Sequence, residues 1–272
     1  MTDERDPRNL VIDPRTVPIR FSHLKAIDQS PLHYWQAVQD QREETLSMRL
    51  GSGTHALLFG TPKVVVYRGG DFTDAKGKTK TFTAVRNGAC WEAFEAAHTD
   101  DCILSESEFE KSSAMARAIE MDMAADSLLF CDGSQHELEI RWEVSGRACK
   151  GRVDALTPTA IPDLKTTKDA NPKWFVRQAF EMHWPTQATW YADGAVAAGL
   201  GWRHPYIVAV DSSAPYSVVV WRLSDTTIEF CRTQYRRWFD RVLECESQNL
   251  WPGYSSGILS LDVPERFQQQ GF

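Results

Sequence analysis

Gly151-Arg-Val-Asp154-Ala-Leu-Thr-Pro-Thr-Ala-Ile161-Pro-Asp163-Leu-Lys165-Thr-Thr167 is the stretch on which the reading of this chain turns. Arg147 to Leu156 and Ala160 to Thr166 read as two strands joined by a short, turn-rich connection. Asp163 and Lys165 are two apart and project from one strand face, and a tight connection brings Asp154 beside Asp163. Val153, Leu156, Ile161 and Leu164 surround these charges, so the strands read as central. Two carboxylates a few ångströms apart cannot both stay ionised without a cation. Mg²⁺, a hard ion that takes oxygen ligands and bridges to phosphate, fits that need. A lysine on the same face can hold or deprotonate a water, or steady charge developing on a phosphoryl oxygen. Together these groups describe metal-assisted hydrolysis of a phosphodiester.

The flanking sequence supplies a frame. Upstream, His136 to Val144 alternates, with Leu138, Ile140, Trp142 and Val144 on one face, and Ser145-Gly146 reads as the turn into the next strand. Downstream, Lys173 to Ala198 reads as one long helix. Tyr206–Val210 and Tyr216–Leu223 follow as strands, and a helix capped by Ser224 or Asp225 comes last. Nearer the N-terminus, a short helix, a Ser30-Pro31 restart and a second helix occupy 22–35. A helix spans 44–59, a strand Val64–Tyr67, and helical segments lie around 88–98 and 107–128. Asp71 to Lys80 is polar and reads as a mobile loop. The order predicts an α/β (α+β) fold with a central mixed β-sheet flanked by helices.

Composition narrows the class. The 272 residues are 42% hydrophobic and 25% charged, as in an ordinary soluble domain. No apolar run reaches about 18 residues, and the charged start MTDERDPR has no signal-peptide core, so the expectation is a cytoplasmic protein without a membrane span. The six cysteines show no CxxC spacing and read as free thiols, so no iron–sulfur cluster is expected. A net charge of −7 argues against a polyanionic partner, but the distribution argues back. Residues 141 to 177 carry +4, leaving −11 for the rest. Positive charge gathered where the ligand sits is enough for an acidic protein to bind nucleic acid.

The spacing G-R-V-D-(x8)-D-L-K-T resembles motifs II and III of the PD-(D/E)xK nuclease superfamily. Gly51-Ser-Gly-Thr-His55 resembles the G-x-x-x-H helix of the exonuclease VIII (RecE), lambda-exonuclease-like and RecB-type branch, and Gln187-Ala-Thr-Trp-Tyr191 resembles its Q-x-x-x-Y helix. Glu137 stands where exonuclease VIII-like proteins carry an acidic residue, and Ser22-x-Leu-Lys…Ser30-Pro-x-x-Tyr34 adds a fifth match in order. The resemblance implies a restriction-endonuclease-like core. It makes His55 a nitrogen ligand to a metal. Asp154 and Asp163 become carboxylate ligands, with Asp154 able to bridge two ions, and the backbone carbonyl of Leu164 completes the shell. Lys165 would orient the attacking water. Glu137 would hold a second metal or its water, with Glu139 on the same strand face as a substitute. Gln187 and Tyr191 would steady the site or the DNA backbone.

The resemblance also implies a Mg²⁺-dependent exodeoxyribonuclease, with Mn²⁺ able to substitute. It would act on linear duplex ends in phage or prophage homologous recombination, as a homo-oligomer beside a single-strand annealing protein. Lys168, Lys173 and Arg177 follow the site, and Lys76, Lys78, Lys80 and Arg86 lie in or near the polar loop; all are candidates for phosphate contacts. The expected layout is an N-terminal arm over 1–20, the nuclease domain over 21–250 and a C-terminal extension over 251–272. Two alternatives stand beside this reading: a non-catalytic DNA-end-binding recombination accessory protein, and a CRISPR-adaptation-type nuclease.

Overall fold

The computed structural model describes residues 12–39, 44–73, 77–255 and 257–263. Two compact units partition them. One is formed by the residues up to 39 and those from Tyr235 on, and the other by residues 44–234.

The first unit holds α1 (Phe21–Leu24) and α2 (Pro31–Gln39), the latter opened by the expected proline. It also holds the C-terminal half of α9 (Asp225–Gln248). Its interior is aromatic: Tyr34 stacks on Trp251 at 5.4 Å, and the Trp238 Nε1–H donates to Asp28. Ile19 and Trp251 are buried, so both the described end of the expected arm and the start of the expected extension are packed. Residues 257–263 are exposed.

The second unit begins with α3 (Leu46–Phe59), β1 (Val64–Val66), β2 (Gly70–Thr73), β3 (Thr79–Phe82), α4 (Gly88–Ala97), β4 (Cys102–Leu104), α5 (Glu106–Met121) and α6 (Met123–Leu129). β1 pairs with β4 in parallel. Within the segment read as a loop over 71–80, the described residues instead contribute to two antiparallel strands, β2 and β3. The Thr73–Thr79 hydroxyl pair and the Thr81–Asp71 bond join them, and such polar cross-strand pairs leave no apolar alternation to detect. Lys76 lies outside the described residues.

The second half of this unit carries the expected frame. β5 (Gln135–Val144) and β6 (Arg147–Leu156) form an antiparallel hairpin through Ser145-Gly146, both at positive φ, the geometry of a two-residue turn that matches strand twist. β7 (Ala160–Thr167) pairs in parallel with β8 (His204–Asp211), and β8 pairs antiparallel with β9 (Val218–Arg222), which makes a mixed three-stranded sheet. The predicted long helix is two helices, α7 (Pro172–Glu181) and α8 (Trp184–Ala197), parted at His183 in left-handed backbone. Pro185 in the first turn of α8 is the signal for that break. Leu50, Met115, Ile119, Leu129, Ala155, Leu164, Val208 and Val210 form the core under β6, β7 and β8. A second cluster around Phe175, Ile207 and Ile228 closes the other side.

Candidate functional site

α3 brings an imidazole to β7. Thr45 caps the helix by accepting from the Met48 N–H, and Gly60 ends it in left-handed backbone. Gly51 lies where a Cβ would sit 3.3 Å from Thr166 Oγ1, so a bare backbone is what lets the helix approach β7 closely. Gly53 likewise meets Leu104 and Ser112. His55 is one turn beyond Gly51 and therefore shares its face.

The hairpin brings two carboxylates to that imidazole. The β5–β6 register pairs His136 with Ala155 and Leu138 with Val153, so Glu137 stands opposite Asp154. The ladder skips that one step, and Glu137 takes φ +51, a backbone that a side-chain-bearing residue seldom adopts. His55 Nδ1 lies 3.5 Å from Glu137 Oε1 and 3.4 Å from Asp154 Oδ1. The three donor atoms lie within 4.8 Å of one another, the one such group of three or more among the described residues. Burial alone would pull the His55 imidazole down, but the Asp154 and Glu137 carboxylates outweigh it and hold the ring above its ordinary value.

β7 supplies the rest. Asp154 Oδ2 accepts from the Leu164 N–H at 2.6 Å, which fixes the carboxylate across the strands. Lys165 Nζ lies 2.6 Å from Asp163 Oδ2. Burial pushes the Asp163 carboxyl up to about 6, opposed by Lys165 and reinforced by Asp154. Asp163, expected as a ligand, lies in an ion pair with Lys165 beside the His55, Glu137 and Asp154 cluster. Leu164 lines the cleft, and it meets Asp154 through its N–H. Glu139 stands opposite Arg152 in the hairpin and pairs with Arg141 and Lys150.

Gln187 donates from Nε2 to the Tyr191 hydroxyl at 3.1 Å on α8. Burial and the nearby Asp163 and Asp154 charges push that phenol well above its ordinary value, so it stays protonated. Gly151 makes the approach possible: a Cβ there would lie 2.4 Å from Tyr191 Cε1. No local pattern marks Gly151; only the packing of α8 on β6 gives it a role.

The cleft over these groups has a volume of about 520 Å³ and is lined by His55, Glu137, Asp154 and Lys165 together with Arg152, Thr166 and the first half of α3. An imidazole nitrogen and two carboxylate oxygens at this spacing suit a divalent cation. Of the basic candidates, Lys78, Lys80, Lys168, Lys173 and Arg177 are exposed, the last paired with Glu181. Arg86 is employed differently from the expected phosphate contact. Its guanidinium binds Glu108 and the Ile103 carbonyl and lies over the Trp91 ring.

Residues 20–262 match the family described as a PDDEXK-like domain of unknown function (DUF3799). The chain belongs to that family. This PDDEXK-like domain also shares its fold with a solved protein from Eubacterium rectale described as a "Putative exonuclease". The match has a TM-score of 0.62 and 12% identity over 94% of each chain. A second structure, SSO0001, aligns at TM-score 0.26 and 14% identity over 54% of this chain and 69% of its own. No curated protein matches. The fold is therefore the mixed α/β, restriction-endonuclease-like one that the motifs implied. No helix among the described residues is long and apolar enough to cross a membrane.

Proposed function

We propose that this protein is a divalent-metal-dependent deoxyribonuclease that hydrolyses phosphodiester bonds from the ends of linear duplex DNA, in homologous recombination of the phage or prophage kind. The observation that carries the proposal is the meeting of His55, Glu137 and Asp154 from three separate elements beside the Asp163–Lys165 pair, in an open cleft. The family match supports a nuclease, and the name of the E. rectale protein supports exonucleolytic action.

His55 Nδ1, Glu137 and Asp154 would hold the cation, Mg²⁺ with Mn²⁺ as a substitute. A cation bound there stabilises negative charge growing on the phosphoryl oxygens. Lys165 then places an attacking water through an N–H of its ammonium group. Asp163 Oδ2, 2.6 Å away, fixes the direction of that ammonium. Leu164 holds Asp154 in one rotamer through its N–H. The protonated Tyr191, steadied by Gln187, presents a hydroxyl rather than a fourth negative charge beside the three carboxylates of this site. From the superfamily resemblance, the proposal extends to a homo-oligomer working beside a single-strand annealing protein.

Nucleotide release from matched linear and covalently closed circular duplexes, with Mg²⁺ or with EDTA, tests the reading. Release from the linear duplex alone, abolished by EDTA, is the expected result. Equal cutting of the circle would replace an exonuclease by an endonuclease, and binding without any cutting would make the protein a DNA-end-binding accessory factor.

A further inference from the structure

Arg152 sits on β6 two residues before Asp154 and lines the same cleft. The hairpin register sets it opposite Glu139. Glu139 is already taken by Arg141 and Lys150, and Arg152 turns diagonally toward the cluster, where its Nη1 lies 3.7 Å from Glu137 Oε2. That separation is beyond hydrogen-bond range, so the pairing is coulombic and leaves the planar donor fork unused. The Arg152 side chain is 63% exposed, against 17% for Lys165 and 22% for His55. It is the most exposed cation lining the cleft. The other two are turned inward, Lys165 onto Asp163 and His55 onto the carboxylates.

We infer that Arg152 is a phosphate-binding residue of this cleft: it pairs loosely with Glu137 while no cation is bound, and it grips a DNA phosphodiester once a divalent cation has taken over the Glu137 charge. The inference rests on the nuclease reading for its ligand and follows from charge and geometry. An arginine fork presents two parallel N–H groups to two non-bridging phosphate oxygens, a match that its 3.7 Å contact with a single carboxylate oxygen does not use. A cation at Glu137 and a guanidinium near it repel each other. Divalent binding therefore releases the arginine toward the mouth of the cleft, where an anion is welcome. Metal and DNA then bind with positive coupling, and by reciprocity each tightens the other.

The test measures binding, not cleavage. A Lys165→Ala background keeps the duplex intact. In it, fluorescence anisotropy of a short labelled duplex is followed across a salt series with and without Mg²⁺, for Arg152 and for Arg152→Ala. Free Mn²⁺ is counted separately by electron paramagnetic resonance. Arg152→Ala is expected to weaken DNA binding in Mg²⁺ by roughly tenfold to a hundredfold. It should also flatten the salt dependence by about one phosphate contact and shrink the Mg²⁺ enhancement of binding, while Mn²⁺ affinity holds or rises. Arg152→Lys should restore the salt slope more than the affinity. Unchanged DNA affinity and slope would overturn the inference. So would a parallel fall in Mn²⁺ affinity, which marks a merely structural arginine. A wild-type protein that binds DNA through Arg152 yet never cuts it would sink the nuclease reading and leave this inference standing. Normal cutting with an Arg152→Ala protein that binds normally would do the reverse.

Discussion

At the scale of single residues, the site is made of groups that would be poor choices on their own. Lys165 has its ammonium buried against Asp163, a pairing that holds its direction at the expense of its solvation. If it places the attacking water, Lys165→Ala lowers the cleavage rate roughly 10²–10⁴-fold with little change in DNA affinity. Single-turnover rates at saturating DNA separate the two, and an unchanged rate would remove Lys165 from the chemistry. Gly151 is held to glycine by an aromatic ring, since a Cβ there would lie 2.4 Å from Tyr191 Cε1. Gly151→Ala should cost about 1–3 kcal/mol of stability as an overpacked contact. Denaturant melts of the single and double variants check the cause: with Tyr191→Ala in place, the alanine should cost far less.

At the scale of elements, a buried ion cluster pins the helices behind the site. Glu108 accepts from Arg49 Nε at 2.8 Å, from Arg86 Nη2 at 2.6 Å and from the Ser105 N–H at 2.7 Å, within a capping box that opens α5. Burial alone would raise the Glu108 carboxyl, but the Ser105 N–H and the two guanidiniums outweigh it and hold it below the ordinary value. A carboxyl depressed in the folded state stabilises fully above its unfolded pKa, about 4.3 for a glutamate. That stabilisation is lost as pH falls through the folded value. Glu108→Gln should therefore cost about 3–5 kcal/mol at neutral pH by leaving two guanidiniums facing a neutral amide, and the cost should shrink in acid. Urea melts at neutral and acid pH decide the point, and a pH-independent cost would contradict it.

How much of this was legible in the chain also divides by element. The β5–β6 hairpin, β7 and the His55 helix were readable because each carries an uninterrupted local pattern ending at a turn or glycine. The opposition of Glu137 and Asp154 was implicit too: with Ser145-Gly146 as the turn, Val144 pairs with Arg147 and the count back arrives at that pair. β4 escaped because three residues show no period, and the break between α7 and α8 falls inside one continuous helical pattern. The partnership of Arg86 with Glu108, and of Gly151 with Tyr191, depends on long-range packing that no local pattern reports.

At the scale of the whole molecule, the proposed cation is also a question of stability. A ligand that binds only the folded state adds RT ln(1 + [L]/Kd), about 2.7 kcal/mol at a hundredfold excess over Kd. Mn²⁺ or Mg²⁺ should raise the melting temperature of the wild-type protein, and Asp154→Asn should erase the shift, in a thermal scan with DNA absent. A melting temperature indifferent to both ions would leave the donor cluster without its partner.

The left-handed backbone at Glu137 carries this last point further. A glutamate in mid-strand at φ +51 sits where glycine would rest without strain, so Glu137→Gly should relieve it by about 1 kcal/mol, while Glu137→Ala keeps the strained conformation. The glycine variant should then outlast the native protein on heating and fail to bind Mn²⁺. Reactivity and durability would be opposed at one carbon atom, and this chain would have settled the conflict in favour of reactivity.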